Sequence, residues 1–168
     1  MAKAERKYLA HYLDGAFDTT YAATNYVRLG KDLEEFNVEL NPDVERKKNI
    51  LGESSVAHNG YEVSTDASPF YYDYDDALSQ KIMDIALSRA TGDACKTSYV
   101  EVVLKPGEDG AKPTVVSAWR EDVLVIPTSY GGDTSGVPVP FTINDAGNRV
   151  QGTFDLVTKK FTAGEALD

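Results

Sequence analysis

Apolar and polar residues alternate at every second position over much of this chain, and one stretch only shifts to a helical period. Residues 33–40 predict the first clear strand, with Phe36, Val38 and Leu40 on one side and Glu35, Asn37 and Glu39 on the other. Residues 61–67 and 99–104 predict two more. Residues 114–126 predict a long strand in which Val115, Trp119, Val123 and Val125 share one parity and Arg120 and Asp122 the other, so Trp119 reads as a core anchor. Val137, Val139, Phe141 and Ile143 then alternate with Pro138, Pro140 and Thr142. NDAGN (144–148) predicts a turn, residues 150–156 alternate again, and a last short strand falls at Phe161.

The helical period covers about residues 75–90, where Leu78, Ile82, Ile85 and Arg89 fall at i, i+4, i+7 and i+11 with Ala86 beside them. Asp73, Asp75 and Asp76 precede it and Thr91-Gly92 follows it, the polarity that the helix dipole and C-terminal capping favour. Residues 1–25 show no clean period and read as a mobile arm or lead-in. Residues 41–60 open with Asn-Pro and close with Asn-Gly; VERKKNI is able to extend a hairpin, and the remainder reads as a long mixed connection of the kind that is usually functional. The pattern predicts a mainly antiparallel β-sandwich or barrel with one flanking α-helix.

Composition narrows the function. A chain of 168 residues suits one domain, and such a domain buries roughly 70% of its unfolded surface without help from disulfides or metal. Cys95 has no partner for a disulfide, and two His with one Cys make a tetrahedral zinc site a poor expectation. No apolar run approaches the ~20 residues that span a bilayer, and the N-terminus lacks the apolar stretch of a secretory signal, so a soluble protein made in a cytoplasm is expected. The net charge is −10, with acid concentrated in residues 31–94. Such a chain is poorly suited to gripping nucleic acid, whose phosphates are held by clustered Lys and Arg.

The candidate chemistry is thin. PFYYDYDD (69–76) fails as a calcium loop, because counting from Asp73 puts Ala77, Leu78 and Asp84 at positions 5, 6 and 12. Its aromatics Phe70, Tyr71, Tyr72 and Tyr74 would suit a monomeric carbohydrate-binding module, against a plain reading as an acidic helix start. YGGDTSG (130–136) lacks the Lys of a phosphate loop, and Asp133 alone is not the carboxylate pair of an aspartic protease; a tight loop between strands is expected. An acid hydrolase built on Asp73 or Asp133 has no paired spacing. His11 and His58 lie in no nucleophile motif and read as surface residues; Met83 and Cys95 carry no functional expectation. No enzyme, cofactor or metal is expected.

YVRLGKDLEEFNVELNPDVERKKNILGESS (26–55) resembles the opening of major tail tube proteins of tailed bacteriophages that infect Gram-positive hosts. The similarity runs through the helix and ATGDACKT (90–97) and is clearest in WREDVLVIPTSYGGDTSGVPVPFTINDAGNRVQGTFDLVTKKFT (119–162). It covers residues 26–162, leaving an arm at 1–25 and a tail at 163–168. The resemblance implies β protomers that form hexameric rings, rings that stack into a hollow tail tube, and a lumen occupied first by the tape-measure protein and then by double-stranded DNA. It also implies tail-tip and terminator partners, assembly in the host cytoplasm and a final place in the virion.

Within that frame the charge has a use. A lumen lined by carboxylates repels phosphates over a screening length of ~8 Å, leaving DNA no minimum in which to stall. Glu35, Asn37 and Glu39 on the polar side of the first strand are the expected lumen residues, with Gln151, Thr153 and Asp155 from the late hairpin as weaker ones. Arg46, Lys47, Lys48, Asn49, Ile50, Leu51, Gly52 and Glu53, a basic cluster beside an apolar pair, are the expected contact between rings.

Overall fold

The computed structural model describes residues 3–17, 26–31 and 33–164. Among these described residues are ten strands and one α-helix: β1 (Leu9–Asp14), β2 (Tyr26–Leu29), β3 (Val38–Glu39), β4 (Pro42–Lys48), β5 (Ser54–Tyr61), β6 (Ser64–Ala67), α1 (Ala77–Ser88), β7 (Lys96–Lys105), β8 (Thr114–Pro127), β9 (Phe141–Asp155) and β10 (Lys160–Ala163). All pairings are antiparallel. Seven strands run in the order β2-β1-β7-β8-β9-β6-β3, β10 pairs with the later half of β9, and β4 and β5 form a separate two-stranded ribbon. The expectation of a mainly β fold with a single flanking helix holds: the sheet is a curled half-barrel.

Two cores lie on the sheet, and β1 and β7 serve both. Leu13 and Tyr99 join Phe36, Phe70, Val125 and Phe141 in the first core, which α1 covers with Leu78 and Ile82. Ala10, Tyr12, Val100 and Val102 point the other way, into a second core closed by Phe154 and Phe161. Tyr12 and Phe154 stand with ring centroids 4.5 Å apart although two strands separate β1 from β9, a contact that requires the sheet to curl back on itself. Residues 9–14 are therefore not a mobile arm. They show no period because both faces of β1 are buried, so apolar residues fall at either parity. Residues 18–25 of that expected arm, and 165–168 of the expected tail, lie outside the described residues; residue 163 of the expected tail belongs to β10.

Irregularities in the long strands account for the other departures. The expected turn at 144–148 is a bulged continuation of β9, in which Gly147 (φ 98°) and Asn148 (φ 57°) take left-handed conformations while the ladder with β8 slips register between Arg120 and Val123. Asn148 Nδ2 donates to Asp122 Oδ2 at 2.7 Å across the bulge. The shift splits the parity expected for β8: Val123 and Val125 enter the first core and Val115 packs against the second. Trp119 is half-buried rather than a core anchor. Only Val38–Glu39 of the expected strand 33–40 is paired, since Asn41 turns into a left-handed conformation (φ 45°) directly beyond it.

The helix forms where its period predicts. Asp76 caps it by accepting from the Leu78 amide at 3.1 Å, the buried Ser79 hydroxyl donates to the carbonyls of Asp73 and Asp76, and Arg89 (φ 52°) ends it as a left-handed C-cap rather than lying on its apolar face.

Truncating Leu13 tests whether the N-terminal segment is structural. Leu13→Ala should lower unfolding free energy by about 2–5 kcal/mol, measured by urea denaturation; a neutral effect would mean that β1 is not part of the folded sheet.

Candidate functional site

The segment expected to contact a neighbouring ring is a free-standing β-ribbon. β4 and β5 pair from Pro42–Tyr61 to Lys48–Ser54, and every residue of both except Gly60 is exposed. The stretch from Ser54 onward gave no strand pattern because neither of its faces rests on a core. Arg46, Lys47 and Lys48 end β4, and Asn49, Ile50, Leu51, Gly52 and Glu53 form the tip. There Asn49 Oδ1 accepts from the amides of Leu51 and Glu53, both at 3.0 Å, and Gly52 supplies a left-handed residue (φ 82°). This built turn holds Ile50 and Leu51 in water, 103% and 76% exposed.

A groove of about 600 Å³ opens at the root of the ribbon. Its apolar walls are Leu40, Tyr61, Val63 and Trp119, and its polar floor is Glu101, Glu121, Asp145 and Arg149. Cross-strand register assembles the floor: His11 stands opposite Glu101, Glu101 opposite Trp119, and Tyr99 opposite Glu121. Arg149 Nη1 contacts Glu121 at 3.1 Å, its Nη2 lies 3.5 Å from Glu101, and its guanidinium sits 5.0 Å above the Trp119 ring. Burial pushes the Glu121 carboxyl up to about 7, aided by the charges of Asp145 and Glu101 and opposed by Arg149. A hydrogen-bonded chain leads away from the floor. Arg6 donates to His11 Nε2 at 2.8 Å, and His11 Nδ1 then donates to the Tyr99 oxygen at 2.5 Å. Burial first, then the charges of Glu101 and Glu121, drive the Tyr99 hydroxyl well above its ordinary range. Burial and the neighbouring arginines Arg6 and Arg28 drop His11 to about 3, so this imidazole is neutral. His11 is thus a buried residue, contrary to the surface position expected for it; His58 is exposed on β5, edge-on to Tyr61.

The expected lumen residues fall into two separate places. Glu35, Asn37 and Glu39 join Asp66 and Ser68 around one acidic concavity, where Asn37 Nδ2 donates to Glu35 at 2.6 Å. Gln151, Thr153 and Asp155 lie on the later half of β9, beside β10, whereas the strands nearest Glu39 pair with its first residues. Asp155 accepts from the amides of Val157 and Thr158, which shape the turn into β10 and hold its carboxyl below the usual carboxylate range.

The remaining candidates resolve into structure. Phe70 is buried edge-on to Phe141 at 5.0 Å, Tyr71 bridges to Pro138, and Tyr72 packs edge-on against Tyr74, so the four aromatics share no stacking platform. Asp133 accepts from the amide and hydroxyl of Ser135, which lower its carboxyl and shape the expected tight loop. Asp73 pairs with Lys31 at 2.8 Å. Among the described residues no group of three or more His, Cys, Asp or Glu is placed to hold a metal ion, and no helix is long and apolar enough to cross a membrane. Sequence reasoning missed the Glu101–Glu121–Arg149–Trp119 cluster. Its one signal was WRED, three charges in a row within a strand that was expected to be half-buried.

The fold has a counterpart of known structure. The chain is similar to the sheath/tube terminator of an extracellular contractile injection system in its extended state, with a TM-score of 0.51 over 91% of this chain and 99% of that one, at 8% identity. The likeness is one of fold. No protein-family model and no curated protein matches the sequence.

Glu121 predicts a pH dependence. The unfolded chain ionises this carboxyl near 4.5, whereas the folded protein holds its proton up to about 7. Stability from this group is therefore lost as pH rises from 4.5 to 7, and the penalty above 7 is about 3 kcal/mol. His11 acts oppositely: its neutral burial costs stability as pH falls from 6.5 towards 3. Glu121→Gln should raise the melting temperature at pH 8 and leave it nearly unchanged at pH 4; equal effects at both would refute the shift.

Proposed function

We propose that this chain is a structural virion protein that assembles with itself into hexameric rings stacked as a phage tail tube, a conduit for DNA ejection. The observation that carries this reading is the β4–β5 ribbon. A two-stranded hairpin alone is at best marginally stable in water, and exposed Ile and Leu at a built tip are the composition of a contact surface rather than of a solvated loop. The curled half-sheet supports it as well. Its path ends on β2 and β3, and a ring of copies that join at such ends removes open sheet edges by closure. No catalytic step belongs to this role. Its partners are further copies, a tape-measure protein, and the tail-tip and terminator proteins at the two ends.

The acidic concavity of Glu35, Glu39 and Asp66 suits a lumen wall that repels DNA phosphates, and the net charge of −10 agrees with it. One further reading is favoured by the likeness to a sheath/tube terminator: a ring that ends a tube instead of repeating along it.

Negative-stain electron microscopy at high protein concentration separates these readings. Hollow tubes with six-fold rings are expected; single rings would favour the terminator, and monomers even with a tail-tip initiator present would overturn both. Replacing Ile50 and Leu51 together by Asp should abolish assembly and leave the melting temperature within about 1 °C, since substitutions of exposed residues cost little. Glu35→Lys with Glu39→Lys should leave tubes intact and lower infectivity; unchanged infectivity would remove these residues from the lumen.

A further inference from the structure

The ribbon and the groove at its root are complementary. Strand alternation and the pairing of Arg46 with Val56 and Val44 with His58 put Val44, Arg46, Lys48 and Val56 on one face of the ribbon, continuous with exposed Ile50 and Leu51. This face is apolar and basic. The groove offers apolar walls at Leu40, Tyr61, Val63 and Trp119 over a floor where three carboxyls outnumber one guanidinium, and about 600 Å³ lies within the range of sites that bury a ligand.

We propose that the groove above Glu121 and Arg149 receives the β4–β5 tip of another copy of this chain, Ile50 and Leu51 lying against Trp119 and Leu40 while Arg46 and Lys48 face the carboxyls of the floor. The inference rests on the self-assembly reading and names its receiving surface. The contact is between copies because Leu40 and Tyr61 flank the root of the same ribbon whose tip would enter. Seven residues of β4 separate root from tip, roughly 23 Å at ~3.3 Å per residue. Donor and receptor are different surfaces, so the interface is head-to-tail and repeats without closing on a pair. Each step advances by about the length of the ribbon.

Site-specific cross-linking of the full chain tests the assignment. Leu51→Cys and Leu40→Cys are made as separate variants, one enlarged by a tag, then mixed under assembly conditions with a short bismaleimide; Cys95 is buried and gives a low background. Val157→Cys, exposed in the turn between β9 and β10, is the control position. A mixed dimer from Leu51→Cys with Leu40→Cys is expected, at least tenfold above that with Val157→Cys, and Ile50→Asp in the Leu51→Cys chain should abolish it. Tubes or rings that form without this link overturn the groove assignment and leave self-assembly standing. Absence of both particles and link overturns the assembly reading and the groove with it. A link without particles keeps the docking pair and removes the tube.

Discussion

Where β8 passes from Arg120 to Val123, its ladder with β9 slips twice, and a strand that has been supplying one core begins to supply the other. Gly147 and Asn148 absorb the extra backbone in left-handed conformations, and the Asn148–Asp122 hydrogen bond fixes the irregularity in place. A bulge adds twist and bend to its strand, which brings the far half of β9 over the second face of β1 and lets Phe154 meet Tyr12. A flat sheet would leave Ala10, Tyr12, Val100 and Val102 facing water. The same irregularity explains why Glu121 and Asp122, neighbours in sequence, are both buried.

The body and the ribbon obey different rules. The body buries apolar side chains on both faces of its central strands, and at the groove Glu121 and Glu101 share the charge of Arg149. The ribbon buries almost nothing and is held by its own ladder and its Asn49 turn. The groove sits where the two meet, walled partly by body residues (Trp119, Val63) and partly by the residues that flank the ribbon (Leu40, Tyr61). Mixed apolar and charged lining is what that junction produces.

The helix and the start of β9, each with one buried face, were legible in the sequence; β1 and β5 were not, although β7, which serves both cores, was. The period of Leu78, Ile82 and Ile85 fixed the helix, and the alternation of Val139, Phe141 and Ile143 marked the start of β9 and the residues leading into it. The buried strand β1, covered on both sides, carries no alternation; β5, covered on neither, carries none either. NDAGN has the composition of a turn and is used as a bulge, because local sequence sets the left-handed conformation but not whether the chain reverses. The floor of the groove was invisible for a related reason: Glu101, Glu121 and Arg149 are 20 and 28 residues apart in turn, and register alone brings them together. The tip residues Ile50 and Leu51 were legible as an odd apolar pair among basic ones, though not as the end of a ribbon.

The exposure of the tip also separates two kinds of selection. A substitution at Leu13 or Phe141 is weighed against the stability of the whole sheet, within a margin of about 5–15 kcal/mol. Ile50 and Leu51 are exposed and touch none of that margin, so their chemistry can drift at little cost to the sheet. A chain built this way can change the chemistry of its tip without first acquiring stability to spare. Its fold can persist at 8% identity to a structural counterpart while exposed positions such as these diverge in chemistry.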